Sequence, residues 1–222
     1  MFDIVFISYN ESNADINWQR LKYRFPHARR VHGVKGIHRA HIMAAKNCFT
    51  KRFWVVDGDS EILDDFAFQE PELDLDDIVC VYKAVNPVNG LTYGNGGVKL
   101  LPRSATASLD ANSVDMTTSI SKHFMPVSCV ASVTRFNTDP FNTWKSAFRE
   151  CVKLSGKAID RQVDSETEQR LETWCTVANG EYGDYAIAGA LAGKAYGEYN
   201  RGDFEALAKI NNFDWLKEQY KE

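Results

Sequence analysis

No apolar run in this sequence approaches the roughly 18 residues that a membrane span needs, so no spanning helix is expected. The N-terminus, Met1-Phe-Asp-Ile-Val-Phe-Ile7, lacks the basic stretch of a signal peptide and turns polar at Ser8. It reads as a buried first strand, and a cytoplasmic location is the expectation. Cysteine is sparse: Cys48, Cys80, Cys129, Cys151 and Cys175 are odd in number, widely spaced and contain no C-x-x-C pair. That excludes a disulfide framework and a zinc-ligand pattern, and leaves small buried hydrophobes as the expected role. With six prolines in 222 residues there is no Pro/Gly-rich linker, and there is no repeat or low-complexity tract, so a single cooperative unit is expected. What is present is core-forming material. The chain is 44% hydrophobic and 12% aromatic, which excludes a wholly disordered chain.

The net charge of −4 conceals an uneven distribution. Residues 1–52 carry ten Lys or Arg against three acids, whereas residues 53–80 carry ten acids and no Lys or Arg. Charge sorted in this way suggests a basic surface beside an acidic loop, and equally fits two solvated faces.

The first half alternates short apolar runs with helical periodicity. Strands are expected at Phe2–Tyr9, Ala28–His32 and Phe53–Asp57, and helices at Asp15–Phe25, capped by Asp15 or Asn13, and His38–Phe49. The continuous apolar run of the third strand suits a parallel sheet covered on both faces. From residue 78 the pattern becomes mixed. A strand at Ile78–Ala84 and a turn at Asn86–Gly90 precede a hairpin or kinked pair over Leu91–Leu101, around Gly94, Gly96 and Gly97. A strand at Pro126–Arg135 and an amphipathic helix at Asn142–Leu154 follow, and residues 164–222 read as helices only.

The most informative segment is Asp57-Gly58-Asp59, where a buried strand stops. In open α/β sheets ligands bind outside the carboxyl ends of the strands. Two carboxylates there can hold a hard divalent cation that takes its other oxygens from water and phosphate. An EF-hand loop fails, because its sixth position is Ile62 instead of Gly and its twelfth is Phe68 instead of Glu. A solvated acidic turn remains the bland alternative. Against it, the two carboxylates have no partner within the acidic stretch 57–77, so their repulsion is costly without a cation. Gly94-Asn-Gly96-Gly97-Val-Lys99 is neither a P-loop nor G-x-G-x-x-G, and marks a bulge or a close backbone approach to a ligand. Arg39 lies in the first turn of a helix introduced by Gly33-Val-Lys-Gly36, a position suited to an anionic diphosphate.

In this order the chain resembles a GT-A glycosyltransferase. The opening Phe2–Asn10, Gly36–Arg39 and Phe53–Asp59 match the nucleotide-binding half of that fold. More narrowly, residues 86–99, Phe136-Asn-Thr138 and Trp144–Lys153 are similar to phage glycosyltransferases related to the kinetoplastid base-J glucosyltransferase. The resemblance covers roughly residues 1–200. It implies one α/β, Rossmann-like GT-A sandwich with a mixed central sheet and a helical C-terminus. Residues 1–77 would bind the nucleotide sugar, 78–163 the acceptor, and 164–222 would form C-terminal helices. It implies a UDP-sugar donor, Mn²⁺ or Mg²⁺ ligated directly by Asp59 with Asp57 nearer the ribose and the metal, the nucleobase near Tyr9 and Asn10, and the diphosphate near Arg39. Gly96, Gly97 and Lys99 would lie where donor meets acceptor, and His123, the last histidine of the chain, is the one downstream candidate for a further metal ligand. The implied acceptor is a hydroxymethylated pyrimidine in phage DNA. An inverting mechanism would need a base, for which Asp115, Glu150 and Asp184 are candidates and Asp115 is preferred. Two alternatives stand beside this reading: a sugar-phosphate nucleotidyltransferase, and a non-catalytic DNA-binding member of the fold. The sugar, the stereochemistry and the oligomeric state are not specified by the sequence.

Overall fold

The computed structural model describes residues 1–110, 113–159 and 162–220, which form two compact units. Of these described residues, the first unit takes those of 1–86, 92–110 and 116–135, and the second those of 87–91, 113–115 and 136–220.

The first unit is built on an eight-stranded mixed sheet. Its strands are β1 (Asp3–Ser8), β2 (Arg29–His32), β3 (Arg52–Asp57), β4 (Ser60–Ile62), β5 (Val79–Val85), β6 (Thr92–Tyr93), β7 (Val98–Pro102) and β8 (Phe124–Thr134). The order is β2-β1-β3-β7-β5-β8-β4, with β6 paired to β5. Strands β2, β1 and β3 are parallel, β7 runs antiparallel between β3 and β5, and β8 is parallel to β5. Helices α1 (Ala14–Arg24) and α2 (Ile37–Lys46) make the crossovers of the parallel part, and α3 (Arg103–Ala107) and α4 (Met116–Ser119) are short. This is an α/β Rossmann-like sandwich. Its two cores follow from period-two alternation. Phe6, Trp54, Val56, Tyr82 and Leu100 pack with Leu21 and Ala14 of α1, whereas Val5, Phe53, Val55, Val81 and Leu101 pack with Ala44 and Ala45 of α2. Both faces of β3 are therefore dry from Phe53 to Val56, which is why those four residues are all apolar. Ser60 begins β4 three residues after Asp57 ends β3, yet β4 pairs at the far end of the strand order. Three residues span only about 10 Å, so the sheet must curl to bring its far edge back to the end of β3.

The second unit contains α5 (Pro140–Ser155), α6 (Asp164–Thr176), α7 (Gly183–Tyr199), α8 (Phe204–Ala208), a 3₁₀ turn at Lys209–Asn211 and α9 (Phe213–Gln219). Asp139 caps α5, its Oδ1 accepting the Asn142 N–H at 2.7 Å. Helix α7 lies against α5 through Gly189, Gly193 and Gly197. A Cβ at these positions would meet Trp144 O at 2.3 Å, Phe148 O at 2.3 Å and Ser155 Oγ at 2.1 Å.

Of the two readings of residues 91–101 the hairpin fails and the kinked pair holds: β6 and β7 both run antiparallel to β5, at opposite ends of it, and β8 takes the other side of β5 along its length, so the glycines lie between two successive segments on one side of that strand. The amide of Asn13 does not cap α1, because its Nδ2 donates to Arg135 O at 2.9 Å, and Asp15 lies inside the first turn. Most of the cysteines are buried as expected: Cys48, Cys80 and Cys151 are buried, Cys175 is half-buried and Cys129 is exposed.

Candidate functional site

Strand β3 delivers Asp57 to the carboxyl end of the parallel strands. Alternation puts Asp57 on the face shared by Phe53 and Val55, the face covered by α2. Lys99 stands opposite Val55 on β7 and projects to the same face. The Lys99 ammonium donates to Asp57 Oδ1 at 2.9 Å, to Oδ2 at 3.0 Å and to the Gly96 carbonyl. Lys99 is 1% exposed, whereas the Asp57 side chain retains 28%. The sequence supplies no partner for Asp57 within its own acidic segment. The sheet supplies one from β7, 42 residues away.

The turn itself is held at three consecutive residues. The Asp57 N–H donates to Gly97 O at 2.9 Å, Gly58 O accepts from Asn17 Nδ2 at 3.0 Å, and Asp59 O accepts from the Arg135 N–H at 2.8 Å. A Cβ on Gly58 would sit 2.7 Å from Glu11 Oε2, and one on Gly97 would sit 2.5 Å from Ser60 Oγ. At both glycines an added Cβ would displace a side-chain end, whereas Gly96 is required by its φ of +83°. Asn95 locks the second turn: its Oδ1 accepts the Gly97 N–H at 2.9 Å and its Nδ2 donates to Thr134 Oγ1 at 2.6 Å. Ser60 Oγ is buried with no hydrogen-bond partner.

Behind Lys99, α2 presents His41. It is fully buried, with Nδ1 bonded to Ile37 O at 2.8 Å and Nε2 without a partner. Burial, and then the nearby charge of Lys99, push its pKa well below the ordinary 6.5, so the ring is neutral. The sheet therefore carries a layered set here: neutral His41, the Lys99 cation, the Asp57 carboxylate.

The structure brings together Asp57, Gly96, Gly97 and Lys99, with Asp59 next along the chain. Tyr9 and Asn10 lie in the loop after β1, where the Tyr9 N–H donates to Glu11 Oε2 at 2.8 Å beside Gly58. Arg39 is exposed in the first turn of α2. His123 is not brought to this group. It precedes β8 beside the start of β5, at the opposite end of the sheet, and its Nδ1 is 2.9 Å from both Asp77 carboxylate oxygens. That contact holds the Asp77 carboxyl below its usual range. Asp115 and Glu150 belong to the second unit. There Lys153 Nζ lies 3.8 Å from Asp115 and 3.1 Å from Glu150, and Arg170 reaches Glu150 at 2.5 Å. Asp184 is exposed in the first turn of α7. Glu11, Asn17, Ser60 and Arg135 escape sequence reasoning. The available signal was position, since Glu11 follows the carboxyl end of the first strand by three residues.

The charge blocks of the sequence meet in the fold. Arg20 and Arg135 both pair with Glu61, lowering its pKa, with Arg135 the larger influence. Arg24 lies 3.9 Å from Asp64 and donates to the carbonyls of Leu63, Asp64 and Phe66. Lys51 pairs with Asp76 at 2.8 Å, and the buried Arg52 donates to the Asp76 and Ile78 carbonyls. Much of the basic block is thus a counterpart to the acidic block. An open cavity of about 370 Å³ lies between Lys51, Arg52 and residues 70–76, at the amino end of β3 and away from the Asp57 turn.

Among the described residues no cluster of three His, Cys, Asp or Glu could hold a metal. Unit charges about 4 Å apart repel by ~4 kcal/mol at an effective dielectric near 20, twice that for a divalent ion, so Lys99 disfavours ligation through Asp57. A cation that takes a single carboxylate and completes its shell with phosphate and water fits, with Asp59 as that carboxylate.

No protein-family profile matches the sequence. No curated protein matches it either. Among solved structures, the crystal structure of HddC from Yersinia pseudotuberculosis is similar, with a TM-score of 0.34 and 12% identity, over 60% of this chain and 92% of that one. A likeness at this level assigns neither family nor activity. Among the described residues no helix is long and apolar enough to cross a membrane.

Proposed function

We propose that this protein is a glycosyltransferase that moves a sugar from a nucleotide sugar to a hydroxyl acceptor. The observation that carries the reading is the Asp57-Gly58-Asp59 turn. It ends a buried parallel strand at the ligand-binding end of the sheet, and it is fixed at three successive backbone positions. Such a turn offers a carboxylate in a set geometry, as a site needs when it must not reorganise on binding. The donor diphosphate occupies the region outside β1 and β3, with Arg39 as a cationic contact and the loop carrying Tyr9 and Asn10 beside the base. Asp59 holds Mn²⁺ or Mg²⁺, which when bound offsets charge on the leaving phosphate. The turn carrying Gly96 and Gly97, bonded to the Asp57 N–H, lies where the donor sugar meets the acceptor hydroxyl. The acceptor proposed is a hydroxymethylpyrimidine of phage DNA, which places the reaction in the host cytoplasm.

The nucleotidyltransferase reading is less well supported, because the loop after β1, Ser8–Asn13, has no glycine and no Lys or Arg to cradle a triphosphate. A purely DNA-binding role is weakened by the ion pairs that engage Arg20, Arg24 and Lys51. Isothermal calorimetry with UDP-sugars and Mn²⁺ tests the proposal. Metal-dependent binding that is lost in Asp59→Asn is the expected result, and DNA affinity with no metal-dependent nucleotide binding would refute it. Mass spectrometry of nucleosides from modified DNA, after incubation with a panel of nucleotide sugars, then identifies the sugar and the acceptor.

A further inference from the structure

The second unit holds a pair of thiols that the proposed function does not use. Helices α5 and α6 each turn a cysteine into the same apolar core. Cys151 of α5 is fully buried there, in the cluster of Ala147, Leu154, Leu171 and Trp174. Cys175, in the last turn of α6, follows Leu171 by four residues and so shares its core-facing side. It packs against the edge of that cluster and is half-buried. The two thiols meet between the helices, with the Cys151 S–H donated to the Cys175 sulfur. That bond holds the Cys175 thiol below the ordinary 9.0 in spite of partial burial; Lys194 of α7 adds to the effect and Glu198 opposes it. Burial, and then the Cys175 sulfur, push the Cys151 thiol well above that value. One sulfur of the pair therefore has thiolate character and access to solvent, and the other is a buried proton donor. Cys48 and Cys80, by contrast, are buried with both thiols raised by burial, and Cys129 is exposed on β8.

We infer that Cys175 and Cys151 form a modification site for hydroperoxides, at which Cys175 is oxidised first and Cys151 resolves the product into a reversible intrachain disulfide. In the first step the Cys175 thiolate attacks one peroxide oxygen. The S–O bond forms and the O–O bond breaks. The departing oxygen takes a proton and leaves as water, or as an alcohol from an organic hydroperoxide, and Cys175 becomes a sulfenic acid. In the second step the Cys151 sulfur attacks the Cys175 sulfur. The S–S bond forms, the S–O bond breaks, and the hydroxide leaves as water with the Cys151 proton. Two thiols thus lose two electrons and two protons, and hydrogen peroxide is reduced to two waters. The division of roles follows from burial, since a peroxide in solvent reaches the half-buried sulfur and not the fully buried one. Position supplies the freedom that the new bond needs. Helix α6 ends at Thr176 and Val177 is extended, so the sulfurs can close to about 2.05 Å by movement of one helix end. In a reducing compartment disulfides occur in this transient, redox-sensing form.

The test treats the intact protein with hydrogen peroxide, blocks the remaining thiols with N-ethylmaleimide in denaturant, and digests with trypsin without reduction. The expected result is a disulfide that links the peptides 150–153 and 171–194, with the free thiols falling from five to three and returning to five with dithiothreitol. Recovery of both peptides unlinked, with Cys129 the thiol consumed, overturns the inference. Thiols that dithiothreitol does not restore overturn it as well, because oxidation has then passed beyond the disulfide. Dimedone, which traps sulfenic acids, separates the two roles. It should label Cys175 in Cys151→Ala about tenfold more than in wild type, where the sulfenic acid is consumed by Cys151, and should leave Cys151 unlabelled in Cys175→Ala. Equal labelling of Cys175 in wild type and Cys151→Ala would show that Cys151 resolves nothing. Should Cys151→Ala fail to fold, the wild-type peptide map decides alone, since it needs no substitution. No nucleotide, metal or acceptor enters these measurements, so their outcome is independent of the proposed glycosyl transfer.

Discussion

Replacing Gly193 with alanine sets two known effects against each other. In a solvent-facing helix the change is favourable by ~1 kcal/mol, because alanine loses less backbone entropy on ordering. At position 193 the added Cβ would lie 2.3 Å from Phe148 O and 2.8 Å from Phe148 Cα, both backbone atoms of α5. Ordinary contact begins near 3.4 Å, so α7 must withdraw by about 1 Å, and a gap of that size forfeits roughly a quarter to a half of each dispersion contact along the interface. Overpacking of this kind costs ~1–3 kcal/mol, and the upper end applies because a helix backbone cannot step aside as a side-chain tip does. The net expectation is destabilisation of about 2 kcal/mol, or a fall in midpoint of roughly 8–15 °C for a unit of about 100 residues. Urea unfolding followed by Trp fluorescence and circular dichroism, with Ala192→Gly at an exposed site of the same helix as the control, measures it. The control should lose ~1 kcal/mol through propensity alone. A Gly193→Ala protein more stable than wild type would show that α5 and α7 do not approach at this glycine.

Two further outcomes follow from single groups. His41 has its folded pKa well below 6.5, so the unfolded chain binds a proton there that the folded chain does not. Its contribution is complete above about pH 6.5 and falls by ~1.4 kcal/mol per unit below that, until the folded pKa is reached. Urea midpoints of wild type and His41→Asn at pH 7.5 and 5.5 should converge on acidification, and a parallel fall would argue against a buried neutral ring. Asp139→Ala removes the side-chain acceptor at the start of α5 and should cost about 1 kcal/mol, recoverable in part by Asp139→Asn. Equal stability of Asp139→Ala and wild type would remove the cap from the account.

The parallel half was legible because its signals are local. Phe53–Val56 is apolar at every position, which only a strand covered on both faces tolerates, and Asp57-Gly58-Asp59 marks where that cover ends. The pairing of residues 91–101 was not legible. Glycines spaced as in a hairpin look the same when the two flanking segments pair with a third strand. The stripe Gly189, Gly193, Gly197 was not read from the sequence. Its meaning depends on α5 lying within contact distance, which no property of α7 alone conveys.

The sequence by itself determined the alternation of strands and helices, the place where the acidic pair stops the third strand, and the uneven distribution of charge. Each of these is a property of neighbours along the chain, set by period and composition. Tertiary structure alone decided what the charges face. Sheet order puts Lys99 two positions from Asp57 across β3 and β7, although 42 residues separate them in the chain. It likewise folds Arg20 onto Glu61, Arg24 towards Asp64 and Lys51 onto Asp76, so a basic block and an acidic block become partners. Coulomb energy depends on distance in space and on burial, and neither is a function of position along the chain.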